Sequence, residues 1–300
     1  MKIGLIGLGK MGLNLALNIK DQKHQVIVYN RSYEKVDKAK QLGLTAVYSL
    51  QELINSLETP RIIWLMVSAG KAVDQLITSL TPLLNKGDTI IDGGNSNYND
   101  TLRRYTHLKE VGFNFVDIGT SGGTSGARNG ACMMVGADNE VFLKLEPLIK
   151  DLCVKDGYLH TGRVGSGHYV KMIHNGIEYG MLQAIAEGFE ILEKGDFDFN
   201  YEKIAKVWNH GSVIRGWLME LMISAFSKDP ALSSLKGVVD SSGEGLWTVE
   251  EALKVGVPAH IITSSLFVRY RSHQNDTFSG KVIAALRNEF GGHKVTPTKD

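Results

Sequence analysis

Lys2-Ile3-Gly4-Leu5-Ile6-Gly7-Leu8-Gly9-Lys10-Met11-Gly12 is the stretch on which the fold turns. Its opening residues are an apolar run that reads as a short strand over 2–7, and positions 10–20 read as a helix. Gly7, Gly9 and Gly12 join the two as G-x-G-x-x-G, with Leu8, Lys10 and Met11 between them. Three such glycines alone are weak evidence. Here they sit between a strand and a helix, and a second strand, 25–29, follows at the distance a βαβ unit needs. Glycine permits the tight turn and lets backbone approach a pyrophosphate, while the helix N-terminus supplies N–H donors and partial positive charge. The stretch is therefore read as a dinucleotide-binding loop rather than an ordinary turn.

Outward from this unit the alternation continues. Apolar runs at 61–67, 88–91, 114–118 and 131–135 read as strands, and 33–42, 71–80 and 99–110 as helices. That pattern predicts an α/β fold with an N-terminal Rossmann-type doubly wound sheet. After about position 164 the periodicity becomes helical. Helices are expected at 166–194, without a proline, and at 201–210, 213–226, 248–255, 260–272 and 278–290. The expected division is a dinucleotide-binding domain over 1–165 and an all-helical substrate-binding and dimerisation domain over 166–300, joined at the glycine-bearing stretch 163–167.

The 300 residues carry a formal net charge of +1, which argues against nucleic acid or a membrane surface as partner. Anions must be recognised by individually placed cations. Two cysteines, Cys132 and Cys153, are too few for a disulfide framework and read as reduced thiols; no Cys/His spacing resembles a zinc site, and no metal is expected. The N-terminus is too short and glycine-broken to read as a signal peptide or membrane span, so the cytoplasm is the expected location.

The end of the second strand bears on the cofactor. An NAD site usually places Asp or Glu there for the ribose 2′-OH. This chain has Asn30-Arg31-Ser32 instead. Arg31 offers a planar cation for a 2′-phosphate, with Asn30 and Ser32 as hydrogen-bond donors, so NADP is expected. NAD is the weaker alternative, with Arg31 as a solvated loop cation. Two further glycine clusters, Asp92-Gly93-Gly94-Asn95-Ser96 and Gly119-Thr120-Ser121-Gly122-Gly123, follow strand-like runs; either alone could be a plain turn, but two at one sheet edge are read as a ligand crevice, where Asn95 and Ser121 add side-chain hydrogen bonds.

The chemistry is expected on the first long helix. In Gly167-His168-Tyr169-Val170-Lys171-Met172-Ile173-His174-Asn175-Gly176-Ile177-Glu178-Tyr179, the side chains of Lys171, His174, Asn175 and Glu178 fall within an arc of roughly 100° at helical spacing. Tyr179 lies beside that arc, and Met172, Ile173 and Ile177 are free to pack on the other side. Most charged stripes are solvated faces. This one joins an amine, an imidazole, an amide and a carboxyl just past the domain boundary, where a cleft is expected.

These stretches, with Thr120–Ala127 written TSGGTSGA and RNEFGGH at 287–293, resemble the decarboxylating 6-phosphogluconate dehydrogenases over essentially the whole chain, in a short form. The resemblance places the chain in the β-hydroxyacid dehydrogenase superfamily. It implies oxidative decarboxylation of 6-phosphogluconate to ribulose 5-phosphate and CO2, a pentose phosphate pathway step. Lys171 is implied as general base and Glu178 as general acid. Asn95, Ser121, Gly122, Gly123, His174 and Asn175 are implied to hold the substrate's carboxylate and hydroxyls, Tyr179, Arg269 and Arg287 its phosphate, with His293 a further contact. Met66, Val67, Ser68 and Asn95 join Gly7–Gly12 and 30–32 as implied cofactor contacts. The family's counterparts of Arg287 and His293 come from a neighbouring subunit, which implies a homodimer, or a dimer of dimers, with shared sites. Two departures stand out. The segment 240–248 lacks the phosphate-binding lysine of longer members, and Ser68 replaces a lysine near the cofactor. The rival readings are a β-hydroxyacid dehydrogenase acting on a small unphosphorylated acid, and a non-catalytic NADP-binding sensor.

Overall fold

The computed structural model describes residues 1–297. The chain divides into two compact units, Met1–Gly176 and Ile177–Asp300.

The first unit runs β1 (Lys2–Ile6), α1 (Lys10–Asp21), β2 (Gln25–Tyr29), α2 (Tyr33–Gln41), β3 (Thr45–Val47), α3 (Leu50–Asn55), β4 (Ile62–Leu65), α4 (Lys71–Leu80), β5 (Thr89–Asp92), α5 (Tyr98–Glu110), β6 (Asn114–Ser121), α6 (Gly123–Asn129), β7 (Ala131–Gly136), α7 (Asn139–Leu152) and β8 (Cys153–Gly162). The strands form one sheet in the order β3-β2-β1-β4-β5-β6-β7-β8. Its apolar runs are continuous because successive residues feed opposite faces. Ile3, Leu5, Val26, Val28, Trp64 and Ile91 join one buried cluster, while Ile6, Ile27, Ile63, Leu65 and Ile90 join the other. This is the doubly wound sheet read from the sequence, with order reversing between β1 and β4.

The strands are not all parallel. β6 and β7 pair antiparallel, Asp117 opposite Gly136 and Ser121 opposite Cys132. The 7-residue α6 between them is too short to carry the chain back across the sheet. β3, α3, α6, α7 and β8 had no counterpart in the sequence reading. The Gly119–Gly123 cluster is also not simply a turn: β6 runs through Gly119 and Thr120 to Ser121.

Helix α8 (Ser166–Lys194) starts in the first unit and continues into the second. Its opening turns lie almost backbone to backbone on the sheet. A Cβ on Gly119 would overlap Lys171 Cβ, and one on Gly167 would sit 2.5 Å from Met134 O and 2.6 Å from Asp117 O. This packing holds the opening turns of α8 within the first unit.

The second unit adds α9 (Tyr201–Asn209), α10 (Trp217–Lys228), α11 (Gly243–Val255), α12 (His260–Ser272) and α13 (Phe278–Gly291). One small core gathers Phe189, Ala205, Met219 and Phe226; another gathers Tyr179, Val249 and Leu266. α10 begins later than the sequence suggested, because Val213 is 99% exposed and the chain reaches helical geometry only after Gly216. α11 begins earlier, at Gly243. α13 buries none of its side chains, and Phe278, Ile283, Leu286 and Phe290 stand exposed along it. Among the described residues no helix is long and apolar enough to cross a membrane.

Candidate active site

Strands β2, β1, β4, β5 and β6 are mutually parallel, so their carboxyl ends emerge at one edge of the sheet. That edge carries Gly7–Gly12 after β1, Asn30–Ser32 after β2, Met66–Ser68 after β4, Asn95 after β5 and Ser121–Gly123 at the end of β6.

The glycine loop has the shape a dinucleotide needs. Gly7 adopts φ 105°, a left-handed value, and a Cβ there would overlap Met66 O. A Cβ on Gly12 would overlap Gly7 O, so α1 can start this close to β1 only with glycine there. Gly9 differs: nothing lies within 4 Å of its Cβ position, and that open space is where a pyrophosphate would approach the N-terminus of α1. Asn30 Oδ1 accepts from Leu8 N at 2.9 Å, so this side chain braces the glycine loop from β2. Its Nδ2 donates to Ser32 O at 3.4 Å. Arg31 and Ser32 are exposed, and no carboxylate stands at this strand end.

Arg104, which sequence reasoning missed, holds the neighbouring loops. Arg104, almost fully buried on α5, donates through Nη2 to Gly70 O at 3.1 Å and through Nη1 to Asp92 Oδ2 at 3.4 Å. Ser96 Oγ donates to the same Asp92 oxygen at 2.7 Å. The loops after β4 and β5, which carry Ser68 and Asn95, are thus tied through one guanidinium. Arg104 Nε also donates to Asp74 at 2.8 Å, and that hydrogen bond is the main cause holding the Asp74 carboxyl below its usual range. The signal available in sequence was an acid closing an apolar strand before two glycines.

On α8, Lys171 and Asn175 are buried and His174 is half-buried. Lys171 Nζ donates to Asn175 Oδ1, and His174 Nδ1 lies 2.9 Å from the same oxygen. His174 Nε2 reaches Ser121 Oγ at 3.2 Å. The structure therefore brings Lys171, His174, Asn175 and Ser121 together. The reason is a match of periods: Asp117, Gly119 and Ser121 share one face of β6, and each meets a successive turn of α8. Glu178 is half-buried one turn beyond His174, whereas Ile177 is 52% exposed and does not pack as the sequence suggested.

In the second unit a separate group forms. The Arg269 guanidinium stacks 3.5 Å from the centre of the Tyr179 ring and donates to Asp240 O at 2.9 Å. Tyr179 OH accepts from Ser242 N at 2.9 Å and lies 3.1 Å from Ser242 Oγ. Ser242 precedes the first turn of α11 in extended backbone, without a side-chain capping bond, and was not singled out in the sequence. Arg287 and His293 are exposed, on α13 and just beyond it, and no hydrogen bond or ion pair joins them to Tyr179, Arg269 or Ser242 among the described residues.

A family model described as the NAD binding domain of 6-phosphogluconate dehydrogenase matches residues 2–159, and one for the C-terminal domain of the same enzyme matches 167–281. The chain belongs to the 6-phosphogluconate dehydrogenase family. A putative 6-phosphogluconate dehydrogenase of Bacillus subtilis is 56% identical over 293 residues, 98% of either chain. The NAD(+)-dependent, decarboxylating 6-phosphogluconate dehydrogenase of Haloferax volcanii is 40% identical over the whole of both chains. Among solved structures, the Plasmodium falciparum 6-phosphogluconate dehydrogenase, studied with NADP+ and with 6-phosphogluconate, superposes with a TM-score of 0.84 at 31% identity; the match spans all of this chain and 67% of that one. As a 6-phosphogluconate dehydrogenase of the shorter length, the chain has at 240–248 a segment without a lysine, and Ser242 there is hydrogen-bonded to Tyr179.

Proposed function

We propose that this chain catalyses the NADP-dependent oxidative decarboxylation of 6-phosphogluconate to ribulose 5-phosphate and CO2. The observation that carries the reading is the cluster of buried Lys171 and Asn175 with half-buried His174 and Ser121 at the sheet edge where the dinucleotide loops end. A dinucleotide held by Gly7–Gly12 and Met66–Ser68 would supply the acceptor for the hydride that leaves C3 of the substrate. Lys171 takes the proton of the C3 hydroxyl as that hydride leaves, which makes a ketone β to the carboxylate. After loss of CO2, the Lys171 ammonium stabilises the enolate oxygen, and Glu178, two turns along α8, protonates C1 of the enediol. Ser121, Gly122, Gly123, His174, Asn175 and Asn95 hold the carboxylate and hydroxyls. Tyr179 and Arg269 take the phosphate, with Ser242, from the lysine-free segment 240–248, hydrogen-bonded to Tyr179.

Gly7–Gly12 and Met66–Ser68 would hold the dinucleotide. NADP is supported over NAD by exposed Arg31 and by the missing acid after β2. The NAD(+)-dependent relative makes NAD the alternative. A homo-oligomer with shared sites is supported by α13, whose apolar side chains and Arg287 are exposed together. Cysteines that remain free suit a reducing compartment such as the cytoplasm.

The deciding assay follows NADPH formation and CO2 release together with 6-phosphogluconate, alongside a small unphosphorylated β-hydroxy acid. Turnover with the phosphorylated sugar acid, one CO2 per NADPH, is expected. Oxidation of the small acid alone, or NADPH without CO2, would defeat the reading.

A further inference from the structure

α8 starts without a side chain of its own to cap it. Tyr169 N donates to Gly165 O at 3.0 Å, which makes Gly165 the residue before the first helical turn, and glycine has nothing to cap with. Two amides at that end converge on one carboxylate. Gly165 N donates to Asp117 Oδ1 at 2.6 Å, and His168 N donates to Asp117 Oδ2 at 2.8 Å. In a local capping box these two amides are satisfied by two side chains of the helix itself. Here a single aspartate on β6, 48 and 51 residues away in sequence, satisfies both.

The surroundings leave Asp117 little freedom. Its side chain is fully buried, and a Cβ on Gly136 would overlap its Oδ1. Burial pushes the carboxyl above its usual range; His168, 4.0 Å away, and the two amides pull the other way. A carboxylate at a helix N-terminus also meets the favourable end of the helix dipole. On the same face of β6, Gly119 admits Lys171 and Ser121 meets His174. Asp117 is therefore the polar anchor of a contact line whose next members are the reacting groups.

We propose that Asp117 is a positioning residue for the reaction: by capping α8 from the sheet it sets the depth and rotation of that helix, and so the aim of Lys171 and His174. The role rests on the reading of Lys171 as general base. It acts through helix placement and requires no contact between Asp117 and substrate.

The test uses the full-length protein with Asp117→Ala and Asp117→Asn, each compared with wild type in four measurements. These are dinucleotide affinity, kcat per dinucleotide-binding site, the deuterium isotope effect with C3-deuterated 6-phosphogluconate, and amide hydrogen exchange along 165–171. Misplacing a reacting group by about 1 Å costs about 100-fold, and a loss of kcat of that order is expected for Asp117→Ala. Dinucleotide affinity should hold, the isotope effect should rise as hydride transfer becomes limiting, and exchange at Gly165 and His168 should accelerate. Asp117→Asn keeps one acceptor in the same volume and should fall between. If Asp117→Ala does not fold, Asp117→Asn carries the same comparison. A kcat per binding site equal to wild type, or an unchanged isotope effect with kcat falling only as the folded fraction falls, overturns the proposal. If wild type itself does not turn over 6-phosphogluconate, the functional reading fails, and hydrogen exchange alone still decides whether Asp117 caps α8.

Discussion

Ser121 Oγ and His174 Nε2 lie 3.2 Å apart, and the other face of the imidazole fixes which of them donates. Asn175 Oδ1 accepts from Lys171 Nζ, so the His174 Nδ1 that meets the same oxygen at 2.9 Å must carry the proton. In the neutral ring Nε2 then accepts, and the Ser121 hydroxyl donates to it. In the proposed reaction the Ser121 oxygen then has its lone pairs left for a substrate hydroxyl. Removing the hydroxyl with Ser121→Ala should lower kcat/KM about 10–100-fold, the worth of one hydrogen bond in a charged setting. Dinucleotide affinity should not change. Steady-state kinetics with a binding titration check this, and equal losses in both would move Ser121 out of the substrate site.

Lys171→Met removes the amine but keeps an apolar side chain of similar length on a buried position. Turnover should fall by at least the ~100–10,000-fold typical of a general base, with dinucleotide binding retained. Glu178→Gln should slow product formation while substrate affinity holds, because an amide can still hydrogen-bond but cannot supply a proton at C1. Wild-type rates for either variant would remove that residue from the chemistry.

Much of this arrangement was legible in the residues, and the parts that were not have physical reasons. The glycine loop, the strand after it and α8 declare themselves because periodicity and turn chemistry agree along each segment. Gly119 was read only as a member of a glycine cluster, either a plain turn or the lining of a crevice. Its task is to let α8 lie on the strand, and a single sequence cannot distinguish a glycine that bends the chain from one that admits a neighbour. The three-residue β3 is too short for alternation to register. Asp117 and Arg104 act on partners distant in sequence, so no local pattern marks them. Tyr179 and Arg269 were named, whereas Ser242 was not, since a serine before a helix looks like any cap.

Cofactor choice should rest on Arg31. The side chain is exposed beyond β2 with no acid at that strand end. Arg31→Ala should raise the KM for NADP about 10–100-fold, the range for a hydrogen bond to a charged group, and leave the KM for NAD nearly unchanged. Measuring kcat/KM for both dinucleotides in both proteins checks it. A parallel loss with NAD would mean that Arg31 serves the loop rather than the 2′-phosphate.

The cysteines should differ in reactivity. Cys132 is exposed, whereas burial, with Cys132 nearby, pushes the Cys153 thiol up to about 12. Only a thiolate alkylates readily. Iodoacetamide at pH 8 should label Cys132 alone in the native chain and both residues after denaturation, as read by mass spectrometry. Because the folded value is raised, keeping Cys153 protonated supports the fold fully below the ordinary thiol value of about 8.5. That support is lost as pH climbs toward about 12. Equal labelling of both residues in the native state would contradict the burial of Cys153.

Two alanine substitutions in the glycine loop should separate folding from binding. At Gly12 a Cβ would overlap Gly7 O, a backbone atom that cannot swing aside, and Gly12 is itself buried on α1. Gly12→Ala should therefore destabilise the chain by about 1–3 kcal/mol, the usual cost of overpacking, and impair dinucleotide binding as a consequence. Gly9 has φ −70° and ψ −177°, extended backbone open to any residue, with nothing within 4 Å of the Cβ position. Gly9→Ala should fold with stability unchanged or raised by about 0.4–1 kcal/mol, since alanine restricts the unfolded chain. Its methyl would nevertheless occupy the space a pyrophosphate needs beside the N-terminus of α1, so dinucleotide affinity should drop in a protein of undiminished stability. Urea unfolding and a fluorescence titration with NADPH measure the two effects independently. Undiminished affinity in Gly9→Ala would show that the pyrophosphate does not pass over this glycine, and the cofactor would then have to approach the sheet edge by another path.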